Sequence, residues 1–172
     1  MLIVYNNGKD NIINSEGDME NTTRYRSEQL EKTLRTLHAA VPGVKASVVV
    51  NLDGLLVSSY PSTGEDEEAH QNPTSSPQVA AMSATLVGLA IRVMKRLEQG
   101  DMKRLLIESE KGQMLAYLAG ESLLAVLLEN DAQLGKVIYA ASRATMDIKR
   151  ILGFEEEKPK IEEGDSLNAP NL

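Results

Sequence analysis

Few side chains in this chain are of a type that could do covalent or metal chemistry, and their spacing argues against both. There is no cysteine, so thiolate zinc sites, disulfide frameworks and cysteine nucleophiles are excluded. The two histidines, His38 and His70, are too few and too far apart for an imidazole metal site. His38 stands beside Ala39 and Ala40 at the end of a helical pattern and reads as a surface or capping residue. His70 lies in an acidic stretch with no partner to tune it. The nearest thing to a phosphate cradle, GLLVSSYPSTGE from Gly54, lacks the strand–loop–helix spacing and the lysine of a P-loop. Arg92, Arg96 and Arg143 are candidates for a finger offered in trans to a phosphoryl group, worth ~10³–10⁵ in rate where it occurs. A solvated or ion-paired helical arginine is the simpler reading of each. The expectation is a protein with no catalytic, metal-binding or cofactor-binding residues of its own.

The elements that carry these residues follow from periodicity. From about Tyr25, Leu30, Leu34, Leu37 and Val41 recur on one helical stripe, which Pro42-Gly43 ends. VKASVVVNL then alternates with period two, and Asp53-Gly54 follows as the dipeptide of a type I′ hairpin before LLVSSY. A second helix is expected from Gln78 to about Gln99, stopped by Gly100. Three strands follow: KRLLIES, QMLAYLA after a Lys111-Gly112 turn, and SLLAVLL after Gly120. The last is apolar on both faces, as a central strand is. Leu134–Leu152 closes the chain as a helix with Leu134, Ile138, Ala141, Thr145, Ile148 and Leu152 on one side and Gly153 as its cap. The order α-β-β-α-β-β-β-α predicts an α+β fold, an α/β/α sandwich with a five-stranded, mostly antiparallel sheet and helices on both faces.

Charge divides the same chain differently. Its 172 residues carry a net charge of −7. Residues 61–77 hold Glu65, Asp66, Glu67 and Glu68 with no base, and residues 153–172 hold six acids against two lysines. The remainder of 25–152 is slightly basic, with fourteen basic and eleven acidic side chains. The acidity therefore belongs to a leader (1–24), an acidic loop (61–77) and a tail (153–172), all expected to be disordered around one domain at 25–152. Met19 is an alternative start. The loop reads as a solvated insertion, with a substrate lid as the other reading; the tail reads as a solubilising extension or a docking segment. Overall acidity and the lack of aromatics interleaved with basic residues argue against nucleic acid. No apolar run approaches the ~18 residues of a membrane span, and MLIVY is too short for a signal peptide. A cytoplasmic location follows as the expectation, with no membrane partner. Only six aromatic residues are present, which disfavours a stacking ligand pocket.

The middle helix is the element that speaks of a partner. Val79, Met82, Leu86, Leu89, Val93 and Leu97 form one stripe, assigned to the sheet. The opposite stripe is also apolar, with Ala80, Ala84, Val87, Gly88 and Ile91, and turns charged only at Lys95 and Glu98. A helix apolar on two sides is covered on two sides, and a single small domain supplies only one cover. The small-residue stripe is therefore expected to meet the same helix of a second copy across a two-fold axis. An alanine-rich helix tolerating a weakly apolar surface is the alternative. Ile91→Glu or Ala84→Lys is expected to split such a dimer and leave the fold intact.

PGVKASVVVNLDGLLVSS (Pro42–Ser58), VAAMSATLVGLA (Val79–Ala90) and LLAVLLENDAQLGKV (Leu123–Val137) together resemble the roadblock or dynein-light-chain-seven family, including its prokaryotic MglB-like members. The resemblance covers about Glu28 to Leu152; the acidic insertion, the leader and the tail depart from it. It implies a roadblock/profilin-like fold and a homodimer whose sheets join edge to edge through the strand at Lys103–Ser109. The implied interface comprises Ala80, Ala84, Val87, Gly88, Ile91 and Lys95 of the helix with Leu105 and Ile107 of the strand. It further implies a non-enzymatic regulator of a small Ras-like GTPase, bound on the paired-helix side, in signalling. In MglB-like relatives the dimer accelerates hydrolysis by repositioning the GTPase's own groups, without an arginine finger. A passive scaffold subunit of a larger complex is the alternative, and a ligand sensor a weaker one.

Overall fold

The computed structural model describes residues 15–61 and 77–154, with side-chain surroundings given from residue 21 onward except at Gln78. Its elements run α1 (Ser15–Ala40), β1 (Val44–Asn51), β2 (Leu56–Tyr60), α2 (Pro77–Arg96), β3 (Leu105–Ser109), β4 (Gly112–Ala119), β5 (Ser122–Leu128) and α3 (Leu134–Leu152). The five strands form one sheet in the order β2-β1-β5-β4-β3, and every neighbouring pair is antiparallel. The doubly apolar SLLAVLL is its central strand, buried along almost its whole length. Pairing of β1 with β5, from Val44 opposite Leu128 to Asn51 opposite Ser122, joins the first hairpin to the later meander.

Two apolar layers flank this sheet. On one face α1 contributes Leu30, Leu34, Leu37 and Val41, and α3 contributes Val137, Ala141, Ala144 and Ile148. They close over Val49, Leu115, Tyr117, Leu124, Val126 and Leu128. On the other face α2 alone covers Val48, Val50, Ala116, Leu123 and Ala125. The fold is an α+β sandwich with two helices on one side and one on the other.

Local chemistry explains the boundaries. α1 starts at Ser15, ten residues before the expected Tyr25, so part of the leader continues the helix. Residues 1–14 of the leader, 62–76 of the acidic loop and 155–172 of the tail lie outside the described residues. Pro77 opens α2, where a missing N–H costs nothing because the first turn has no acceptor for it. Gly153 ends α3 at φ +81, its N–H donating to Arg150 O while Phe154 N–H donates to Lys149 O. That is the paired bonding of a Schellman cap.

Three turns differ from expectation. Between β3 and β4 the turn is Glu110-Lys111, and Gly112 is already paired with Ser109 as the first residue of β4. The β1–β2 connection is not a type I′ turn, because Asp53 keeps a negative φ and only Gly54, at +87, is left-handed. Gly54 N–H donates to Asn51 O, and Asn51 N–H donates to Leu55 O, giving a three-residue hairpin with the glycine in the bulge. Asn51 Oδ1 accepts from Leu55 N–H, which occupies a further backbone donor and favours this wider turn. α2 also stops before Gly100. Its terminal turn is built on Glu98 at φ +55, with Glu98 N–H donating to Lys95 O and Gln99 N–H to Met94 O. The same cap that α3 forms with glycine is formed here by glutamate.

Candidate functional site

The middle helix is apolar on two sides, but the sides are exchanged relative to the sequence expectation. Ala80 and Val87 are fully buried and Ala84 nearly so, all against the sheet, with Ser83 beside them. Ile91 is half-buried against the same cluster, Gly88 is half-buried, and Lys95 is exposed beyond the sheet. Ala80, Ala84, Val87 and Ile91 therefore form the inner face of α2, not a free one, while Gly88 lies at its margin with open space where a Cβ would stand. The stripe assigned to the sheet points out: Met82 is 63% exposed, Leu89 57% and Leu97 58%, with Leu86 and Val93 also exposed. Only Val79 of that set is half-buried.

The physical reason is steric. The α2 side of the sheet already carries Val48, Val50, Leu123 and Leu118, and alanine and serine let the helix axis settle close above them. The hairpin reinforces this approach, since a Cβ on Gly54 would stand 3.0 Å from the Ala81 Cα. Ranking the stripes by side-chain size puts the larger one inside, yet close packing rewards fit over size. The signal that distinguishes them is continuity. The stripe of Ala80, Ala84, Val87 and Ile91 turns to Lys95 where the sheet ends, whereas the outer stripe stays apolar through Leu97.

The outer stripe is a candidate docking surface by its size. Five large apolar side chains recur at spacings of three and four, and Arg92 and Arg96 border Val93 and Leu97. Neither arginine forms an ion pair among the described residues. A contiguous apolar surface rimmed by charge is the pattern of a protein-binding face. Among the described residues β3 pairs only with β4 and forms one edge of the sheet. Leu105 packs into the cluster beneath α2, and Ile107 is 38% exposed.

The remaining candidates are placed elsewhere. His38 is not a solvated cap: its Nε2 lies 3.0 Å from Ser47 Oγ in a hydrogen bond, and its ring meets Tyr60 edge-on at 4.7 Å. Arg35 stands over the other part of that cluster, 5.7 Å from the Tyr60 centroid. Burial lowers the His38 pKa below the ordinary imidazole value. This trio ties α1 to β1 and β2. His70 lies outside the described residues. Arg143 is on α3, on the sheet face opposite α2, so it does not share a surface with Arg92 and Arg96. Among the described residues no helix is long and apolar enough to cross a membrane.

An open groove of about 1050 Å³ runs between α1 and α3. Its floor includes Leu37, Val41 and Ala144, and its charged residues are mostly basic. No sequence pattern pointed to it, because its two walls are more than ninety residues apart in the chain.

Comparison with known proteins agrees with this geometry. The model of the Roadblock/LC7 domain matches residues 30–128, from the core of α1 to the end of β5. An uncharacterized protein of Methanocaldococcus jannaschii is 33% identical over 107 residues, covering 62% of this chain and 86% of the relative. A Roadblock/LC7 domain structure from Streptomyces avermitilis superposes with a TM-score of 0.62 at 23% identity, covering 72% of this chain and 97% of that one. The gliding protein MglB of Thermus thermophilus superposes with a TM-score of 0.62 at 18% identity, covering 73% and 90% of the two chains. With the family match spanning more than half the sequence, the chain belongs to the Roadblock/LC7 family.

Proposed function

We propose that this protein is a homodimeric, non-enzymatic regulator or adaptor of a small Ras-like GTPase. The observation that carries the reading is the exposed apolar stripe of Met82, Leu86, Leu89 and Val93 on α2 with Leu97 in its terminal turn, in a fold whose β3 is an edge strand. A two-fold axis beside that edge joins two β3 strands and brings two α2 helices side by side, so one patch serves both copies. Leu105 and Ile107 then sit at the joint, and the helices meet through their large residues. Ala80, Ala84 and Val87 contribute by setting the depth at which α2 lies on its sheet. The GTPase comes from the family resemblance and binds the paired-helix surface, with Arg92 and Arg96 meeting its acidic groups. Adaptor or regulator, the chain works in the cytoplasm and uses no cofactor.

Light scattering tests the dimer. The wild type is expected at twice the 18.8 kDa chain mass, and Leu89→Glu combined with Val93→Glu at the single-chain mass with an unchanged circular dichroism spectrum. Equal masses for the two proteins place the dimer contact elsewhere, and a monomeric wild type ends the homodimer reading. Phosphate release from a Ras-like GTPase of the same genome, with and without the protein, separates its two roles. Acceleration identifies an activator; binding at an unchanged rate identifies an adaptor.

A further inference from the structure

The face opposite α2 carries a second site with a different chemistry. In the groove between α1 and α3, Arg26 and Lys32 line one side and Lys136, Arg143 and Arg150 the other, against a single acid, Asp147. Asp147 Oδ1 already accepts from Arg150. Arg143 is exposed on the α3 wall, and its interaction with Tyr139, then the charge of Asp147, raises its pKa further, so it presents a permanent cation to the groove. The site therefore presents an excess of positive charge over an apolar floor in a chain whose net charge is −7. The occupant it fits is acidic, with a few apolar side chains.

We infer that the groove is the intramolecular docking site of this chain's own acidic C-terminal segment, residues 155–172. Three observations select that segment. Its composition is complementary: six acids against two lysines, with Ile161 and Leu167 set among Glu162, Glu163 and Asp165. It starts where the groove ends, for Arg150 and Ile151 line the groove and the described chain stops at Phe154, three residues on. Its length suffices: eighteen residues reach up to about 60 Å extended, whereas the nineteen-residue α3 is about 28 Å long. Tethering gives such a segment an effective concentration of order millimolar, so modest contacts hold it. Docked there, the tail excludes from this face any acidic partner too weak to displace it.

The absence of native cysteine makes the test direct. In the full chain, Thr36→Cys in the groove wall and Ser166→Cys in the tail are oxidised under mild conditions, and the intramolecular disulfide is quantified by mass spectrometry. A second pair, Asp53→Cys in the exposed β1–β2 hairpin with Ser166→Cys, reports random tail encounters. The groove pair is expected to crosslink at least fivefold more than the hairpin pair, independently of protein concentration. Lys136→Glu with Arg143→Glu should remove that excess, and adding Glu162→Lys with Glu163→Lys should restore it. All four positions are charged; Lys136 and Arg143 are exposed, so a thermal melt of the double variant is expected to match wild type. Equal crosslinking of the two pairs, an excess indifferent to charge reversal, or a disulfide formed only between chains overturns the inference. In the last case the groove takes the tail of a second copy.

Discussion

At the scale of single residues, His38 links protonation to stability. Its ring is half-buried between α1 and the first hairpin, hydrogen-bonded to a Ser47 that is almost wholly buried. Because burial lowers its pKa in the fold, the unfolded chain binds the proton more readily. The stability associated with neutral His38 is present above the ordinary imidazole pKa and is lost as pH falls below it. Melting temperature should therefore drop between pH 7.5 and 5.5, and drop less in His38→Asn, which starts lower because Ser47 loses its partner. Differential scanning calorimetry at the two pH values checks both. Glu98 is the second such residue. Held at φ +55 in a helix cap, it occupies a region that disfavours a Cβ. Glu98→Gly should raise stability by about 0.5–1 kcal/mol, read from urea unfolding at neutral pH.

At the scale of elements, α2 holds the clearest contrast. Its inner residues stabilise the fold and its outer residues are free of it, so equal insertions of charge have unequal effects. Ala84→Lys forces a long cation into a packed interface and should cost roughly 2–4 kcal/mol. Leu89→Glu should change stability of the isolated chain by less than about 0.5 kcal/mol. Chemical denaturation of the two variants decides the assignment of faces independently of any oligomer. In β5, Leu124→Ala removes a fully buried side chain from the central strand and should cost about 2–5 kcal/mol. Much of this level was legible beforehand. Leu30, Leu34, Leu37 and Val41 are buried as their spacing required, α3 runs from Leu134 to Leu152 as expected, and β5 is central because it is apolar on both faces. What the pattern did not reveal is which apolar stripe of α2 faces inward. Periodicity gives the angle between stripes but not the clearance above the sheet, and clearance depends on strands far away in sequence. Turn types failed for a related reason: Asn51 and Glu98 act through local hydrogen bonds that dipeptide preferences do not encode.

At the scale of the whole molecule, two surfaces of opposite character lie on opposite sides of one sheet. The α2 face is an apolar stripe with two flanking arginines; the α1/α3 groove is basic. Contacts through them should respond unequally to salt, since screening weakens charge pairing and leaves apolar burial nearly untouched. Raising sodium chloride from 0.05 to 0.5 M (about a threefold shorter screening length) during oxidation should lower the yield of the tail crosslink and leave the mass by light scattering unchanged. The slightly basic domain and the acidic tail were both visible as sequence composition, but the groove was not. It exists only because α1 and α3, drawn from the two ends of the domain, settle on the same face.

The pairing of β1 with β5 has a consequence for how this chain is made. Val44 lies opposite Leu128, so the second neighbour of β1 is the last strand to be synthesised. Until it emerges from the ribosome, β1 has only the short β2 beside it, and a lone two-stranded hairpin is marginal in water. The sheet therefore cannot close one layer at a time from the N-terminus; a nascent chain ending near Gly100 offers α2 only Val48 and Val50 of β1, without Ala116, Leu123 and Ala125 that complete the surface beneath it. Folding waits for a long-range closure, and such closures are slow because chain entropy is spent before contacts return it. During that interval the outer stripe of α2 is exposed as well, which makes the half-made chain the form most in need of a chaperone.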